Sequence, residues 1–361
     1  MISFARGIPA PEILPVSELA DCARAAVERD GEVALNYGPV AGYGPLREWI
    51  AEHHGVGPGR VMVTNGSLQG LNLLLEHFAA RGRILVEAPT YDRPLKISAR
   101  IGAELRTIPQ DEDGLDVDAL EHELTRDSSP AFLYVLPTFQ NPSGRTLPLD
   151  RRRRLVELAN EHDLTVLEDD PYGKVRFEGE APPSLHELDG GEHVLYSSSF
   201  SKIVAPGARV GYFVLPPELA STLEAVAENV YLAPVFVAQA MVFEFIRRGN
   251  LEPNVDRVCG LLRERRDAML DALDRELPAA RASQPEGGYF LWLDFPGDVD
   301  AADLLARAER EGVTFVKGSD FFPAGSGGGS SARLAFSFVS PVEIRDGIAL
   351  LAGLLSPTLT V

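Results

Sequence analysis

From about residue 60 onward, short runs of consecutive apolar residues alternate with segments that have helical length and helical apolar spacing. The runs are apolar at successive positions, which is typical of strands buried on both faces of a parallel sheet. The runs that predict strands are 61–63, 84–86, 132–136, 164–167, 194–196 and 210–214. This alternation predicts an α/β domain in which helices flank a mostly parallel sheet.

The rest of the 361 residues predicts a second, smaller unit. A long polar helix is expected from about residue 256, with strands at 287–293 and 333–339. We expect a large domain over residues 36–250 and a small α+β domain built from residues 1–35 and 251–361. The length supports this division, because a chain of this size rarely forms a single core.

The net charge of −19 argues against nucleic acid or an anionic membrane as a partner, since both would repel the chain. No apolar run reaches the length of a membrane span, and the N-terminus lacks the pattern of a signal peptide. Cys22 and Cys259 stand apart from each other and from any metal-ligand cluster, so neither a disulfide nor a metal site is predicted. We therefore expect a cytoplasmic protein.

A serine-rich segment that ends in Lys202 follows the predicted strand at 194–196. Its hydroxyls and the nearby Arg209 suit a phosphate group. Partial burial lowers the pKa of a lysine, and the neutral amine can form an imine with a cofactor carbonyl. Taken alone, such a lysine is more often a solvated surface residue, so the neighbouring segments must decide between the two interpretations.

Residues 64–70 join a predicted strand to a predicted helix and contain Gly66 and Ser67. Backbone N–H groups at a helix N-terminus bind phosphate, and Ser67 adds a hydroxyl. The alternative, that Ser67 only caps the helix, is equally consistent with this segment.

Three further strand ends carry side chains that suit a pyridine ring. Asp169 could pair with a protonated ring nitrogen, which keeps the ring an electron sink. Tyr172 and Asn141 could reach a ring hydroxyl, and Tyr91 could stack on the ring. The alternatives are an acidic turn at Asp169, an Asn-Pro turn at Asn141 and a core position for Tyr91. Because ligands of α/β proteins bind outside the carboxyl ends of strands, all these segments predict one site.

This set of motifs resembles the fold type I pyridoxal-5′-phosphate (PLP) enzymes of aminotransferase class I/II, and in particular the bacterial 2-aminoadipate and broad-range amino acid aminotransferases. The resemblance covers nearly the whole chain and includes residues 4–7, 36–39, 285–292 and 333–337. It implies the PLP-dependent transferase fold, with a mostly parallel seven-stranded sheet in the large domain.

The resemblance also implies the roles of individual residues. Lys202 is implied to hold PLP as a Schiff base and to move the substrate α-proton. Asp169 is implied to bind the ring nitrogen, Asn141 and Tyr172 the ring hydroxyl, and Tyr91 the ring face. The phosphate site is implied to comprise Gly66, Ser67, Leu68, Ser199, Ser201 and Arg209, with Tyr37 contributed by the second subunit of a homodimer. The substrate site is implied to comprise Gly7, Asn141 and Arg333, of which Arg333 binds the α-carboxylate.

Three features depart from the family pattern. Leu68 replaces a polar residue, so only its backbone can contact phosphate. Arg6 replaces a glycine, and it could bind an anionic substrate group, narrow the cavity or point to solvent. The N-terminus lacks an arm that often contributes to substrate recognition, so the substrate side chain cannot be assigned by resemblance. Arg6, the loop around Tyr231 and residues 317–329 are expected to shape the substrate cavity.

The resulting hypothesis is a ping-pong transfer of an amino group between an L-amino acid and a 2-oxo acid. The main alternative is another PLP reaction on the same fold, such as decarboxylation, elimination, cyclisation or oxidation, because the cofactor residues serve all of them. A regulator's sensor domain lacks support because no basic helix-turn-helix precedes the domain. A dinucleotide-binding oxidoreductase lacks support because no GxGxxG motif follows the first strand.

Overall fold

The structure is a computed structural model that describes residues 1–127, 131–297, 299–324 and 326–355. Its strands are β1 (Ile2–Ser3), β2 (Val61–Thr64), β3 (Arg83–Ala88), β4 (Leu105–Asp111), β5 (Gly114–Leu115), β6 (Ala131–Val135), β7 (Thr165–Asp169), β8 (Val194–Ser199), β9 (Gly211–Val214), β10 (Arg281–Ala282), β11 (Phe290–Asp294), β12 (Val313–Thr314), β13 (Val316–Lys317) and β14 (Ser331–Ala335). Its α-helices are α1 (Val16–Ala34), α2 (Gly44–His53), α3 (Ser67–Ala79), α4 (Asp92–Ile101), α5 (Val117–Arg126), α6 (Leu149–Glu161), α7 (Leu185–Asp189), α8 (Pro217–Tyr231), α9 (Phe236–Arg247), α10 (Leu251–Glu276), α11 (Ala301–Arg310) and α12 (Pro341–Leu355).

The large sheet has the strand order β2-β9-β8-β7-β6-β3-β4-β5. The pairs from β8 across to β4 are parallel, whereas β9 is antiparallel to both of its neighbours. The carboxyl ends of β2, β3, β6, β7 and β8 therefore lie at one edge of the sheet. The predicted mostly parallel sheet of an α/β fold is confirmed, with the two-residue β5 as an eighth strand at its margin.

Alternate residues of the central strands enter two separate hydrophobic cores. Phe132 and Tyr134 of β6 pack in one core, and Leu133 and Val135 pack in the other. The same alternation occurs along β3, where Leu85 faces away from both of its neighbours. Both faces are buried, which explains why these strands are apolar at consecutive positions.

A four-stranded antiparallel sheet, β10-β11-β14-β13, carries the C-terminal part of the chain. The N-terminal segment is attached nearby, because β1 pairs in parallel with β12 and the backbone of Phe4 is hydrogen-bonded to Thr314 and Ala335. This attachment carries residues 5–8 to the edge of the large sheet. Among the described residues, no helix has both the length and the hydrophobicity to cross a membrane.

Several local predictions need correction. Strand β4 was not predicted, because it lies near the sheet margin, is largely exposed and contains Pro109. Serine often caps a helix N-terminus, which predicts a cap at Ser17, but α1 begins at Val16 after Pro15 and has no side-chain cap. Helix α10 starts at Leu251, five residues before the predicted start at 256.

Candidate active site

A cavity of about 580 Å³ opens where the carboxyl edge of the large sheet meets the small sheet. The predicted site residues that line it are Gly7, Ser67, Leu68, Tyr91, Asn141, Asp169, Tyr172, Ser199, Ser201, Lys202, Arg209 and Arg333. Gly66 immediately precedes the helix that begins at Ser67. Tyr37 does not line this cavity, and its side chain is 80% exposed on the single chain.

Lys202 follows the last residues of β8 and projects its amine into the cavity. The Nζ donates a hydrogen bond to the carbonyl oxygen of Gly7 at 3.1 Å and lies 5.2 Å from the ring centre of Tyr289. Burial, reinforced by the charges of Arg333 and Arg209, lowers the pKa of Lys202 to about 8. The uncharged, nucleophilic amine is therefore far more populated near neutral pH than in an exposed lysine.

Asp169 ends β7 and is buried at the base of the cavity. Its Oδ2 accepts a hydrogen bond from the Tyr134 hydroxyl at 2.7 Å. Its Oδ1 is buried and has no hydrogen-bond partner among the described residues. Burial raises the pKa of Asp169 to about 6. A cationic N–H donor in the cavity would satisfy Oδ1 and stabilise the ionised carboxylate, so this position fits a protonated pyridine nitrogen.

The N-terminus of α3 and a neighbouring arginine form a second polar wall. Gly66 has φ +82°, and a Cβ there would lie 2.2 Å from Nη2 of Arg209, so only glycine permits this approach. The Ser199 hydroxyl donates to the Ser201 hydroxyl at 2.7 Å. Because Gly66 is the N-cap, Ser67 is the first helical residue and its side chain is free of a capping role. Free backbone N–H groups, hydroxyls and a guanidinium together suit a phosphate group.

Arg333 lies on β14 and faces the cavity from the small sheet. Its Nη1 donates to Oδ1 of Asn141 and its Nη2 to the carbonyl oxygen of Ala5, each at 3.0 Å. Its guanidinium carbon lies 4.1 Å from the ring centre of Phe290 and 5.0 Å from that of Phe321. Burial lowers the pKa of Arg333 to about 10, so the group remains a cation at neutral pH. A buried, oriented guanidinium of this kind suits a carboxylate ligand.

Sequence reasoning missed several residues that support the site. Tyr134 holds Asp169, and the one signal for it was a hydroxyl-bearing residue within the apolar run 132–136. Phe290 and Phe321 enclose the guanidinium of Arg333. Glu87, which accepts hydrogen bonds from the Leu136 amide and the Gln140 side chain, braces the segment that precedes Asn141.

The expectations for the substrate side of the cavity are met in part. Arg6 is exposed, lies 5.0 Å from the Phe338 ring centre and does not line the cavity. Tyr231 packs in one of the large-sheet cores and is also absent from the cavity wall. From residues 317–329, Asp320 and Phe321 do line it.

Three comparisons place these observations among known proteins. The sequence profile described as "Aminotransferase class I and II" matches residues 13–348. The 2-aminoadipate transaminase of Thermus thermophilus is 40% identical over 96% of this chain and 88% of its own length. The aromatic-amino-acid aminotransferase 1 of Thermococcus litoralis is 36% identical over 98% of this chain and 87% of its own length.

The fold comparison agrees with the sequence comparison. The crystal structure of an α-aminoadipate aminotransferase from Thermus thermophilus, complexed with N-(5′-phosphopyridoxyl)-L-leucine, has a TM-score of 0.93 and 39% identity, and the match covers 99% of this chain and 93% of that one. A kynurenine aminotransferase from Pyrococcus horikoshii has a TM-score of 0.95 and 35% identity, with coverages of 100% and 92%.

Proposed function

The chain belongs to the class I and II aminotransferases and uses pyridoxal 5′-phosphate to transfer an amino group between amino acids and 2-oxo acids, and from this premise we propose that Lys202 carries the cofactor. One observation supports the assignment most strongly: the amine of Lys202 and the unpaired Oδ1 of Asp169 line the same cavity. Once bound, PLP supplies an electrophilic carbon and an electron-withdrawing ring.

Lys202 has two tasks in this proposal. Its uncharged Nζ would hold the cofactor covalently, which the pKa of about 8 favours. With the cofactor and substrate bound, the free Nζ would take the proton from the substrate Cα and later return it. The hydrogen bond to the Gly7 carbonyl keeps the amine oriented toward the cavity. Because both substrates use this amine in turn, we expect ping-pong kinetics.

The remaining residues of the proposed site would bind and orient the cofactor and the substrate. Oδ1 of Asp169 would accept a hydrogen bond from the protonated ring nitrogen, and Tyr134 holds the carboxylate in place through Oδ2. Asn141 and Tyr172 would bind the ring hydroxyl, and Tyr91 would stack on the ring. The phosphate would be held by Gly66, Ser67, Leu68, Ser199, Ser201 and Arg209. Gly7, Asn141 and Arg333 bind the substrate, with the guanidinium of Arg333 on the α-carboxylate.

The experiment that tests this function mixes purified holoenzyme with a panel of L-amino acids and follows the cofactor spectrum and the products. We expect conversion of the cofactor to its amine form and one equivalent of 2-oxo acid per chain. A reaction that instead releases ammonia, carbon dioxide or peroxide without amino transfer to a second 2-oxo acid would contradict the proposal. The same panel identifies the preferred side chain.

Replacing Arg333 with lysine is expected to raise the KM for the amino acid far more than it lowers kcat. A lysine cannot keep the contacts to Asn141 and Ala5 and also donate twice to a carboxylate. The loss of one charge-assisted hydrogen bond, roughly 1.5–3 kcal/mol, corresponds to about a ten- to hundredfold fall in kcat/KM. Steady-state kinetics of Arg333→Lys measure it, with the exposed Arg6→Lys as the control. A change below twofold would exclude Arg333 as the carboxylate ligand.

We further propose a homodimer in which Tyr37 reaches the phosphate of the partner's site. Support comes from its neighbourhood, since Leu35 and Tyr37 are 67% and 80% exposed on the single chain and Val33 is also exposed. We expect sedimentation at twice the mass of one chain. Tyr37→Phe is expected to weaken PLP binding about tenfold through the lost hydrogen bond to phosphate. A monomer at micromolar concentration with full activity would rule this out.

We also propose that the enzyme works in the cytoplasm. Cys22 and Cys259 are both free thiols, and Cys22 is buried, which suits a reducing compartment. Fractionation of the source cells with an antibody against the protein would test this location.

A further inference from the structure

A second cavity, of about 270 Å³, lies on the opposite side of the strand end that carries Asp169. We call it the rear cavity and define it by Trp49, His54, Arg152, Glu168, Asp170 and Tyr196, which line it. Side chains alternate along a strand, so Asp169 faces the catalytic cavity while its neighbours on both sides face the rear cavity. Pro171 and Ser199 line both cavities. The catalytic roles proposed above use neither Glu168 nor Asp170.

Glu168 is the key group of the rear cavity, because it is 1% exposed and only one of its two carboxylate oxygens accepts a hydrogen bond from a described residue. Its Oε2 accepts a hydrogen bond from the backbone N–H of His186 at 2.9 Å. Its Oε1 is buried and accepts no hydrogen bond from a described residue, although Nη1 of Arg152 lies 3.6 Å away. Burial raises the pKa of Glu168 to about 7. A cationic ligand with an N–H group would satisfy Oε1 and stabilise the ionised form of Glu168.

The nearby cations do not meet this need. Arg152 donates to the carbonyl oxygens of Leu147, Pro137 and Pro183 and to the Thr138 hydroxyl. Lys174, at the cavity wall, is paired with Glu252 at 3.2 Å. These bonds use four of the five N–H groups of the arginine. The Nη1 atom forms a buried ion pair with Oε1 of Glu168 at 3.6 Å, but it does not hydrogen-bond to that oxygen, and the lysine is directed to Glu252.

The remaining charges favour a cation over an anion. Asp170 accepts hydrogen bonds from the Tyr196 hydroxyl and the Gly173 amide, which leaves a second carboxylate beside Glu168. Glu187, which also lines the cavity, adds a third acidic group. Burial lowers the pKa of His54 to about 4 and also lowers that of His53, so neither imidazole adds positive charge at neutral pH.

The walls favour a flat ligand. The rings of Trp49 and His53 are stacked at 5.4 Å with an interplanar angle of 8°, and Phe200 and Tyr212 also line the cavity. Aromatic walls attract organic cations through their π faces. The exposed Ala181 and Glu187 line the same cavity, which gives a ligand a route from solvent. The volume is several times what one water molecule requires.

We propose that the rear cavity binds a small flat organic cation whose N–H group donates to Oε1 of Glu168 and whose ring packs against Trp49. Amidinium, guanidinium and arylammonium compounds share this chemistry. The site is separate from the substrate position and is lined by the neighbours of Asp169, so such a ligand acts beside the catalytic cavity rather than within it.

The test uses isothermal titration calorimetry of the holoenzyme with benzamidine, which carries the required cation on one ring. Benzamide and benzoate serve as neutral and anionic probes of similar shape. We expect one benzamidine per chain, with benzamide bound at least about tenfold more weakly and benzoate weaker still. No saturable benzamidine binding, or equal binding of all three compounds, would overturn the proposal.

Two variants locate the binding. Glu168→Gln keeps the shape and an acceptor for the His186 amide but removes the charge, and it should weaken benzamidine binding at least about tenfold. The exposed Glu161→Gln is the matched control and should leave the dissociation constant unchanged. Trp49→Leu, which keeps Glu168, should weaken binding about fivefold through the lost ring contact. If circular dichroism shows that Glu168→Gln is unfolded, Trp49→Leu decides. Unchanged affinity in a folded variant of either kind would place benzamidine elsewhere and contradict the proposal.

Discussion

Lys202→Ala should lose the visible absorbance of the lysine-bound cofactor and at least about 10³-fold of amino transfer, because one amine both anchors the cofactor and moves the α-proton. Only four lysines occur in the sequence, Lys96, Lys174, Lys202 and Lys317. Borohydride reduction of the holoenzyme followed by peptide mapping should therefore find the cofactor on the peptide that contains Lys202. Lys317→Ala, which removes a lysine paired with Asp320, is the control and should retain the absorbance.

The same variant tests a separate prediction, which concerns the pH dependence of the stability of the cofactor-free protein. The pKa of Lys202 in the folded state, about 8, lies below its ordinary value, so the unfolded chain binds more protons between these values. The wild type should gain stability as the pH rises from about 8 to about 10, relative to Lys202→Ala, whose residue 202 does not titrate. Melting temperatures at pH 7.5 and pH 9.5 measure the difference.

Two results would refute the assignment of Lys202 as the cofactor lysine. They are a borohydride-reduced label on another lysine and an unchanged cofactor spectrum in Lys202→Ala.

Asp169→Asn is expected to lower kcat by about 10²–10³-fold while the fold is kept, because a neutral amide cannot hold the ring nitrogen in its protonated state. Tyr134→Phe is the graded comparison, since it removes only the hydrogen bond to Oδ2 and leaves the charge. We expect a smaller loss for Tyr134→Phe, about tenfold. Single-turnover absorbance changes with a good donor measure both. Equal activity in Asp169→Asn and the wild type would exclude this carboxylate from catalysis.

The pH dependence of the cofactor-free protein tests the environment of Asp169 without any reaction. Burial raises its pKa to about 6, so the folded state binds the proton more tightly than the unfolded state. The stability contributed by this group should therefore fall as the pH rises from about 4 to about 6, and Asp169→Asn should lack that part of the decrease. Thermal melting of both proteins at pH 5 and pH 7 provides the comparison.

Many of the residues that line the catalytic cavity could be predicted from the rule that ligands bind at the carboxyl ends of parallel strands. Ser67, Asp169 and Ser199 come from different strand ends, and the structure brings them to one cavity. Gly7 and Arg333 could not be placed by that rule, because they arrive through the small sheet and the N-terminal segment; only the family resemblance indicated them. The division into domains 36–250 and 1–35 with 251–361 stays a prediction.

The rear cavity shows why a motif alone is insufficient. The adjacent acidic residues Glu168, Asp169 and Asp170 suggest one acidic turn, yet the alternation along β7 divides them between two cavities with different partners. The role of Tyr134 was not predicted, because this residue lies within a strand rather than at a strand end, and its hydroxyl donates to Asp169 from there. The role of Tyr37 stays a prediction, since its proposed ligand belongs to a second copy of the chain.

The pairing of β1 with β12 has a consequence for biosynthesis. Ile2 pairs with Val313, which is translated roughly 310 residues later. The N-terminal segment, whose Gly7 carbonyl accepts the hydrogen bond from Lys202, therefore cannot form this pairing until then. At about 5–20 residues per second, that delay is about 15–60 s. The nascent chain can complete the large sheet and its Lys202 amine during this interval, but Arg333 and the Gly7 carbonyl join only when synthesis is nearly finished. A ribosome-bound chain should thus form the proposed cofactor-binding residues of the large sheet before it completes the proposed substrate site.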